Sequence, residues 1–424
     1  MGLLIKNGRL IDAKNNIDQK CDILIETDKI AEIGDNLSAN NTEIFDANGL
    51  TVVPGLIDMH VHLREPGFEY KETIYSGTQA AARGGFTSLC CMPNTNPVAD
   101  NPGVIEFILS QNKKAAFVNL FPIGAVSKGL KGEELSEIAD LKSSAVVALS
   151  DDGNPIENPE LMRRAMEYAA MFDLPIISHC EDRQLSAGGV MHEGYISTRL
   201  GLKGIPRTSE IVVVARDIEI ARFTNSRLHI AHISCKESVE LIRKAKSIGL
   251  KVSCECCPHH FTLTQEALIN YDTNTKVNPP LRTQEDIAAL KDGLKDGTID
   301  CIATDHAPHA EEDKDVEFDS APFGIIGLET ALGLVVSELV DKGIISWKQL
   351  VEKMSLNPSN ILGLSRGSLE KGAVADITII DPKQEWTVRK EELVSKSKNS
   401  PFIGRRLRGK AVLTVVSGRI VYKA

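Results

Sequence analysis

Between residues 50 and 310, one pattern of hydrophobic and polar positions recurs along the chain. A short run rich in Val, Ile and Ala ends in polar residues, and a longer amphipathic stretch follows it. The runs are TVVPGLIDMHVH, GFTSLCCMPN, AAFVNLFPIGAVS, SAVVALSDDG, LPIISHCE, RLHIAHIS, KVSCECCPHH and DCIATDHAPH. Strands that are buried on both faces read as continuous apolar runs and need crossover helices. The pattern therefore predicts a parallel sheet.

Amphipathic stretches between the runs, such as residues 75–83, 159–171 and 236–248, predict helices. Eight β/α units in about 260 residues match a (β/α)₈ barrel, which typically takes about 250 residues or more. We expect this barrel over residues 53–366. A doubly wound open sheet is the alternative, but it normally carries a Gly-rich phosphate-binding turn after its first strand, and the sequence has none.

The two ends of the chain have a different pattern. Residues 1–52 and 367–424 hold short strand-like runs, such as CDILIETDKIAEIG and AVLTVVSGRIVYKA, separated by Asn, Gly and Asp turn signals. Neither end is long enough to bury a core alone. We therefore expect them to pair into one small β-domain around the ends of the barrel.

Composition and charge narrow the class of protein. The chain has 424 residues, of which 42% are hydrophobic and 25% are charged, as in ordinary globular proteins. Its 48 Lys and Arg against 58 Asp and Glu give a net charge of −10. An acidic chain without a long basic run argues against binding to nucleic acid or to an anionic membrane. Chemistry on a small molecule is the better expectation.

Targeting signals and a disulfide framework are not expected. Lys6, Asn7 and Arg9 interrupt the apolar start that a signal peptide needs, and no stretch reaches the roughly 18 apolar residues that span a bilayer. The nine cysteines are odd in number and often lie inside apolar runs. We therefore expect a protein of the reducing cytoplasm.

Histidines and aspartates follow the predicted strands. His60 and His62 alternate in the first run, so they lie on one face about 6.6 Å apart along a strand and can converge on one metal ion. His179, His232, Asp151–Asp152 and Asp305 follow later runs in the same way. Since the carboxyl ends of barrel strands form one rim, these donors predict a metal site, with Zn²⁺ as the expected ion.

Several motifs resemble a known family. The His-x-His, His, His, Asp order is similar to that of the amidohydrolase superfamily. Within it, residues 58–67 (DMHVHLREPG), 91–95 (CMPNT), 277–282 (VNPPLR) and 303–309 (ATDHAPH), with Lys314 beyond them, resemble the class I dihydroorotases. The resemblance covers essentially the whole chain. It implies a distorted (β/α)₈ barrel with a small β-sandwich domain built from both termini.

The resemblance also implies a ligand set. One metal would be held by His60, His62 and Asp305, and a second by His179 and His232. Many superfamily members bridge two metals with a carboxylated lysine after the fourth strand, but this strand ends in ALSDDG. Asp152 would bridge instead. Asp151 is the less expected ligand because adjacent strand residues point in opposite directions.

The implied activity is hydrolysis of a cyclic amide. Class I dihydroorotases interconvert L-dihydroorotate and N-carbamoyl-L-aspartate in the de novo synthesis of UMP, using a metal-bridging hydroxide. The resemblance leaves open whether one or two Zn²⁺ ions are bound per subunit. Asp305 would act as the general acid and base. An allantoinase-like enzyme is the first alternative. The second is a catalytically weak barrel that supports aspartate transcarbamoylase, although such barrels usually lose metal ligands and this chain keeps all six. A homodimer is the expected assembly.

Substrate contacts are expected around the same rim. Arg64 lies two residues beyond His62, so we expect it to continue the same strand face toward the mouth of the barrel. Its guanidinium suits a substrate carboxylate. The acidic residues 310–324 would form a lid. His62, Asn94, Asn278 and His309 would contact the substrate through their side chains, and Phe323 and Gly324 through their backbones.

Other polar residues of the runs are expected to support the site or the core. His306 would be structural, and His259 and His260 would pack or support other residues. The Cys254-x-Cys256-Cys257 motif is rejected as a zinc knot because no second cysteine pair completes it. Cys180 stays a minor metal-ligand hypothesis because it follows His179.

Overall fold

The computed structural model describes residues 2–40 and 42–424. Its first strands are β1 (Gly2–Asp12), β2 (Ile17–Glu26), β3 (Lys29–Gly34), β4 (Thr42–Asp46) and β5 (Thr51–Pro54). Alternating strands and helices follow: β6 (Leu56–Val61), α1 (Ile74–Gly84), β7 (Phe86–Cys91), α2 (Pro102–Ala115), β8 (Asn119–Pro122), α3 (Ile138–Ser143), β9 (Leu149–Ser150), α4 (Pro159–Ala170), β10 (Ile176–Ser178), α5 (Arg183–Ser186), β11 (Met191–His192), α6 (Tyr195–Leu200), β12 (Gly204–Ile205), α7 (Thr208–Thr224), β13 (Leu228–Ile230), α8 (Lys236–Ser247), β14 (Val252–Cys256), α9 (Pro258–Thr262), α10 (Gln284–Asp296), β15 (Cys301–Ile302) and α11 (Glu311–Lys314).

The last part of the chain begins with helices and returns to strands. These elements are α12 (Ala331–Val335), α13 (Trp347–Val351), α14 (Asn357–Leu362), β16 (Ile377–Thr387), β17 (Arg406–Val416) and β18 (Arg419–Lys423). Short 3₁₀ turns lie at Lys128–Leu130, Gln265–Leu268, Thr273–Thr275 and Lys390–Glu392, and π-helical turns lie at Val336–Val340 and Glu352–Leu356. The predicted helices at 75–83, 159–171 and 236–248 correspond to α1, α4 and α8, and these three predictions are confirmed.

The parallel strands close into a barrel. One sheet has the order β6-β7-β8, and a second has the order β15-β14-β13-β10-β9. Single bridges between Val61 and His306 and between Gly124 and Leu149 join the two sheets at both edges. Each of the predicted apolar runs supplies one barrel strand, and the first run also holds β5. The predicted distorted (β/α)₈ barrel is confirmed, and the open doubly wound sheet is excluded.

The ends of the chain form one sheet with the order β18-β17-β16-β5-β1-β2-β3, in which β4 also pairs with β1. The antiparallel pairing of β5 with β16 places Val53 opposite Thr378 and so joins the two termini. Ile5, Ile23 and Leu413 belong to the core that this sheet encloses, separate from the main core of the barrel. The prediction that both ends build one small β-domain is confirmed. The division of the chain at residues 52 and 366 stays a prediction.

Polar side chains connect the terminal sheet with the barrel. Thr378 Oγ1 donates a hydrogen bond to Gly85 O at 2.6 Å. Asp376 accepts from Asn119 Nδ2 at 3.0 Å and from the backbone N–H of Ser417 at 2.7 Å. Because buried polar groups need partners, these bonds fix the sheet against the base of the barrel strands.

Across residues 2–40 and 42–424, no helix is both long and apolar enough to cross a membrane. All nine cysteines lie in the described part of the chain, and each is a buried free thiol.

The tight joint between β5 and β6 generates a stability prediction. A Cβ added at Gly55 would lie 2.0 Å from Thr87 Oγ1, so we expect Gly55→Ala to lower the free energy of unfolding by about 1–3 kcal/mol. Urea denaturation measures this change. Gly34→Ala is the control, since its Cβ would meet Leu37 Cδ2 at an ordinary 3.5 Å. Adding Thr87→Ala to Gly55→Ala removes the side-chain atoms that the new Cβ meets, so the double variant should regain part of the lost stability. Equal stability of Gly55→Ala and Gly34→Ala would contradict the prediction.

Candidate active site

Four imidazoles and two carboxylates converge at the carboxyl ends of the barrel strands. These ends meet at one rim because all the strands run parallel. The residues are His60 in β6, His62 just after β6, Asp152 after β9, His179 after β10, His232 after β13 and Asp305 after β15. All six are buried.

Asp152 lies at the centre of this group. Its Oδ1 is 3.4 Å from both His60 Nε2 and His232 Nε2, and 3.5 Å from His179 Nδ1. Its Oδ2 lies 3.4 Å from His62 Nε2. The two oxygens of one carboxylate therefore face different imidazoles, which is the arrangement that a bridging ligand needs.

Asp305 is the second carboxylate of the group. Its Oδ1 lies 3.1 Å from His62 Nε2 and 3.6 Å from His60 Nε2. Ligand atoms about 2.0–2.1 Å from a tetrahedral Zn²⁺ are about 3.3 Å from one another. The observed separations bracket that value, so the donors are spaced as the ligands of a small divalent cation.

Two buried polar atoms without hydrogen-bond partners also indicate that the cluster fits a metal ion. Within residues 2–40 and 42–424, the buried atoms His60 Nε2 and Asp152 Oδ1 have no hydrogen-bond partner. Buried polar atoms without partners are rare and need an explanation. A cation between them would satisfy both, so the residues present fit a metal.

Glu255 orients His60 through the ring nitrogen that does not face Asp152. His60 Nδ1 lies 2.6 Å from Glu255 Oε1, and His229 Nε2 lies 3.3 Å from the other oxygen. Burial opposes ionisation of this carboxyl group, but the two imidazoles lower the pKa of Glu255 to about 2. A carboxylate on Nδ1 fixes the ring and leaves Nε2 facing the cluster.

Glu181 and Asn94 orient two more imidazoles. His179 Nε2 lies 3.2 Å from Glu181 Oε2, which also accepts a hydrogen bond from Asn278 Nδ2 at 2.9 Å. His62 Nδ1 lies 2.9 Å from Asn94 Oδ1. Both asparagines predicted to contact substrate, Asn94 and Asn278, therefore also belong to the hydrogen-bond network around the cluster.

Sequence reasoning missed Glu255, Glu181 and Asp58 as individual site residues. Asp58 Oδ1 accepts from the backbone N–H groups of Thr304 and His60 at 3.1 and 3.2 Å, and burial raises its pKa to about 7. The signal was present for each of them, since a carboxylate inside or directly after an apolar strand run needs a buried partner.

A cavity of about 230 Å³ opens over the cluster. Its walls include each residue predicted to contact substrate. The lining residues are His62, Arg64, Asn94, Asp152, Gly153, His179, His232, Val277, Asn278, Asp305, Ala307, His309, Phe323 and Gly324. The structure thus brings the predicted residues together, and their individual roles stay predictions.

Arg64 reaches the cavity by a route that strand alternation does not describe. β6 ends at Val61, so the expectation that Arg64 continues the strand face of His62 is wrong. Arg64 instead has a left-handed backbone with φ of 63°. Its Nε donates to Pro308 O at 3.1 Å, and burial lowers the pKa of its guanidinium to about 10.

Asn399, from the segment between β16 and β17, holds two walls of the cavity together. Its Oδ1 accepts from the backbone N–H of His309, and its Nδ2 donates to Ala307 O and Gly324 O, each at 3.0 Å. His309 Nε2 also lies 2.9 Å from Phe323 O. Nothing in the sequence indicated this role, because the residue lies in the part assigned to the terminal domain.

Two buried lysines fasten the segment predicted as a lid. Lys276 Nζ donates to Phe318 O and Asp319 O, both at 2.9 Å, and lies 4.8 Å from the centre of the Phe323 ring. Lys314 Nζ donates to Pro322 O at 2.7 Å and to Thr273 O at 3.1 Å. These bonds position the residues just before the Phe323–Gly324 wall.

Other candidate residues lie away from the cavity. His306 Nε2 is 3.4 Å from Glu72 Oε2, and its Nδ1 accepts from the backbone N–H of Gly327. Cys180 Sγ lies 3.5 Å from Ser178 Oγ. Asp151 accepts from the backbone N–H groups of Val126 and Ser127 at 2.8 and 3.0 Å, whereas Asp152 faces the imidazoles.

Comparison with known proteins identifies the family. Residues 49–238 match the family model described as dihydro-orotase-like, and residues 229–422 match that of the amidohydrolase family. A dihydroorotase of Pelotomaculum thermopropionicum is 59% identical over 421 residues, which cover 99% of this chain and 98% of that protein. The chain belongs to the dihydroorotase family. A family member of Geobacter metallireducens is 56% identical over the full length of both chains.

Solved structures share the fold. An L-hydantoinase (dihydropyrimidinase) from Arthrobacter aurescens superposes with a TM-score of 0.89 at 27% identity, covering 99% of this chain and 96% of that one. A dihydropyrimidinase from Brevibacillus agri gives 0.86 at 25% identity, covering 100% and 95%. Membership of the dihydroorotase family and the clustered His and Asp donors together indicate a site for a divalent metal.

The position of Asp152 generates a prediction about metal binding. Asp152→Asn should remove most of the bound metal, because a neutral amide replaces the carboxylate between the imidazoles. Asp151→Asn is the matched control and should keep the metal. Metal content after dialysis against Zn²⁺ measures both, and equal loss in the two variants would contradict the assignment.

Lys314 generates a prediction about pH. Burial and the nearby charge of Lys276 lower the pKa of Lys314 to about 7. Between that pH and the ordinary lysine pKa, the unfolded chain binds a proton that the folded chain has released. The free energy of unfolding contributed by this group therefore rises with pH, by up to ~1.4 kcal/mol per pH unit.

Urea denaturation between pH 7 and 9 measures how the free energy of unfolding changes with pH. Lys314→Met should reduce the slope of stability against pH, because methionine carries no titrating proton. The exposed Lys131→Met should keep the wild-type slope. A Lys314→Met slope equal to that of wild type would contradict the prediction.

Proposed function

We propose that the chain catalyses the reversible hydrolysis of the cyclic amide of L-dihydroorotate to N-carbamoyl-L-aspartate, in the de novo synthesis of UMP. The observation that carries the proposal is a cavity in which Arg64 lies beside a cluster of four imidazoles and two carboxylates. Relatives that bear the name dihydroorotase, at 54–59% identity over nearly the full chain, support the same substrate.

Zn²⁺ is the proposed ion, with one or two per subunit. His60, His62 and Asp305 would hold one ion, His179 and His232 would hold the other, and Asp152 would contact both. Bound Zn²⁺ would polarise the amide carbonyl and lower the pKa of water to about 7. The nitrogen and carboxylate donors and their spacing support a borderline cation of this size.

Asp305 is the proposed general base and acid. Burial opposes its ionisation, but the imidazoles of His62 and His60 hold the pKa of its carboxyl group well below the usual range. The group is therefore a carboxylate at neutral pH. It can take the proton of the attacking water and deliver it to the ring nitrogen that leaves when the amide bond breaks.

The cavity walls supply recognition of the substrate. The guanidinium of Arg64 would bind the carboxylate of dihydroorotate, and a charge-assisted pair of this kind selects an anionic substrate. The side chains of Asn94, Asn278 and His309 would contact the ring and carboxylate. Backbone groups of Phe323 and Gly324 would close over them.

Assembly and location are further parts of the proposal. A homodimer and a contact with aspartate transcarbamoylase stay predictions, which sizing of the chain alone and in mixture with that enzyme would test. A cytoplasmic location is also part of the proposal, and the buried free thiols support a reducing compartment.

Removal of the proposed base gives a kinetic prediction. Asp305→Asn should lower kcat by about 10²- to 10⁴-fold, because an amide cannot shuttle the proton. Most of the metal should remain, since four imidazoles and Asp152 are unchanged. Steady-state kinetics and metal content measure these effects, with the exposed Asp292→Asn as control. Near-normal turnover would remove Asp305 from this role.

Removal of the anionic anchor should act on substrate binding. Arg64→Met should raise KM about 10- to 100-fold, because a charge-assisted pair contributes about 1.5–3 kcal/mol. The KM of Arg64→Lys should lie between those of wild type and Arg64→Met, because lysine keeps the charge but loses the bidentate geometry. The exposed Arg199→Met serves as the control. An unchanged KM in Arg64→Met would place the anchor elsewhere.

The decisive experiment is ring opening of L-dihydroorotate by the purified chain supplied with Zn²⁺, followed by ultraviolet absorbance. Turnover by the chain alone would support the substrate and show that no partner is required. If metal binds but nothing is hydrolysed, aspartate transcarbamoylase is added next and allantoin is tried after it. Turnover only of allantoin would overturn the proposal.

A further inference from the structure

Cys257, His259 and His260 form a compact cluster where β14 passes into α9. The sulfur of Cys257 and one ring nitrogen of each histidine lie within 4.8 Å of one another. The three residues are 0%, 1% and 2% exposed. They lie outside the cavity lining and are distinct from the six-residue cluster that contains Asp152.

One ring nitrogen of each histidine in this cluster is unsatisfied. In the described chain, His259 Nε2 and His260 Nδ1 are buried without a hydrogen-bond partner. His260 Nε2 donates to Pro279 O at 2.8 Å. That bond fixes the tautomer and leaves a lone pair on Nδ1, as the outer hydrogen bond of a metal-ligating histidine does.

We propose that Cys257, His259 and His260 form a second metal site, which takes a thiophilic d¹⁰ cation such as Cd²⁺ or Zn²⁺. A thiolate with two imidazoles is a softer donor set than the nitrogen and oxygen ligands around Asp152, so it favours such ions. Ordinary packing explains three buried groups, but it leaves two buried nitrogens unpaired. A cation bound to these two nitrogens would account for both of them.

Binding at this site has two consequences. Burial raises the pKa of the Cys257 thiol well above its ordinary value, so the cation must displace a proton and binding strengthens as pH rises. The occupied site would also hold His260, whose bond to Pro279 O fixes the segment next to Asn278. A metal there would thus stiffen one wall of the cavity without touching substrate.

Cadmium titration of the purified full-length chain tests the proposal, because a Cd²⁺–thiolate bond has an ultraviolet charge-transfer absorption that nitrogen and oxygen ligands lack. Wild type should gain one equivalent of this absorption. Cys257→Ala should lose it and bind one Cd²⁺ fewer. Cys180→Ala, whose thiol adjoins His179, and Cys256→Ala, whose thiol is the chain neighbour of Cys257, are matched controls that should keep it.

Each other outcome contradicts the proposal. These outcomes are no thiolate absorption in wild type, full absorption in Cys257→Ala, or loss in Cys180→Ala alone. Circular dichroism checks that the variants fold. If Cys257→Ala does not fold, His259→Gln tests the proposal instead. This variant keeps the thiol of Cys257 but removes the imidazole of His259, so it should weaken Cd²⁺ binding at least tenfold. Unchanged affinity would overturn the proposal, whatever the hydrolytic activity.

Discussion

The structure of the rim depends on the buried carboxylate of Asp152 and the imidazoles that surround it. Burial alone would make this group neutral, but the adjacent imidazoles hold its pKa well below the ordinary range. Its two oxygens face different histidines, so the ends of several barrel strands must stay in register around one side chain. The supporting carboxylates Glu255 and Glu181 then keep His60 and His179 turned toward it. These contacts together constrain the positions of the strand ends and the orientations of the histidine rings at the carboxyl end of the barrel.

Much of this arrangement could be predicted from the sequence. The apolar runs end in polar residues, and the barrel brings these ends to one rim. His60 lies in β6 and His62 lies just after it, and both imidazoles reach the cluster, as their alternation predicts. The alternation of side chains along a strand also predicts that Asp152, rather than Asp151, faces the site. In the structure Asp151 accepts hydrogen bonds from backbone N–H groups, and Asp152 faces the imidazoles. Local periodicity is sufficient here because each residue lies in or just after a regular strand.

What could not be predicted depends on contacts that are distant in the sequence. Arg64 lies in the cavity, but a left-handed backbone rather than strand alternation puts it there. Asn399 reaches His309 and Gly324 from about 75 or more residues away. The clamp formed by Lys276 on residues 318–319 is of the same kind. Periodicity cannot encode such contacts, because tertiary packing alone determines which side chain meets which loop.

The union of the two termini in one sheet has a consequence for biosynthesis. β5 obtains its partner β16 only after more than 300 residues have been translated, and Asn399 is added later still. Until β16 has been made, β5 therefore exposes an edge that can pair with other chains. The walls of the cavity are joined only after Asn399 has left the ribosome. Folding intermediates should thus be the stage at which this protein most depends on chaperones.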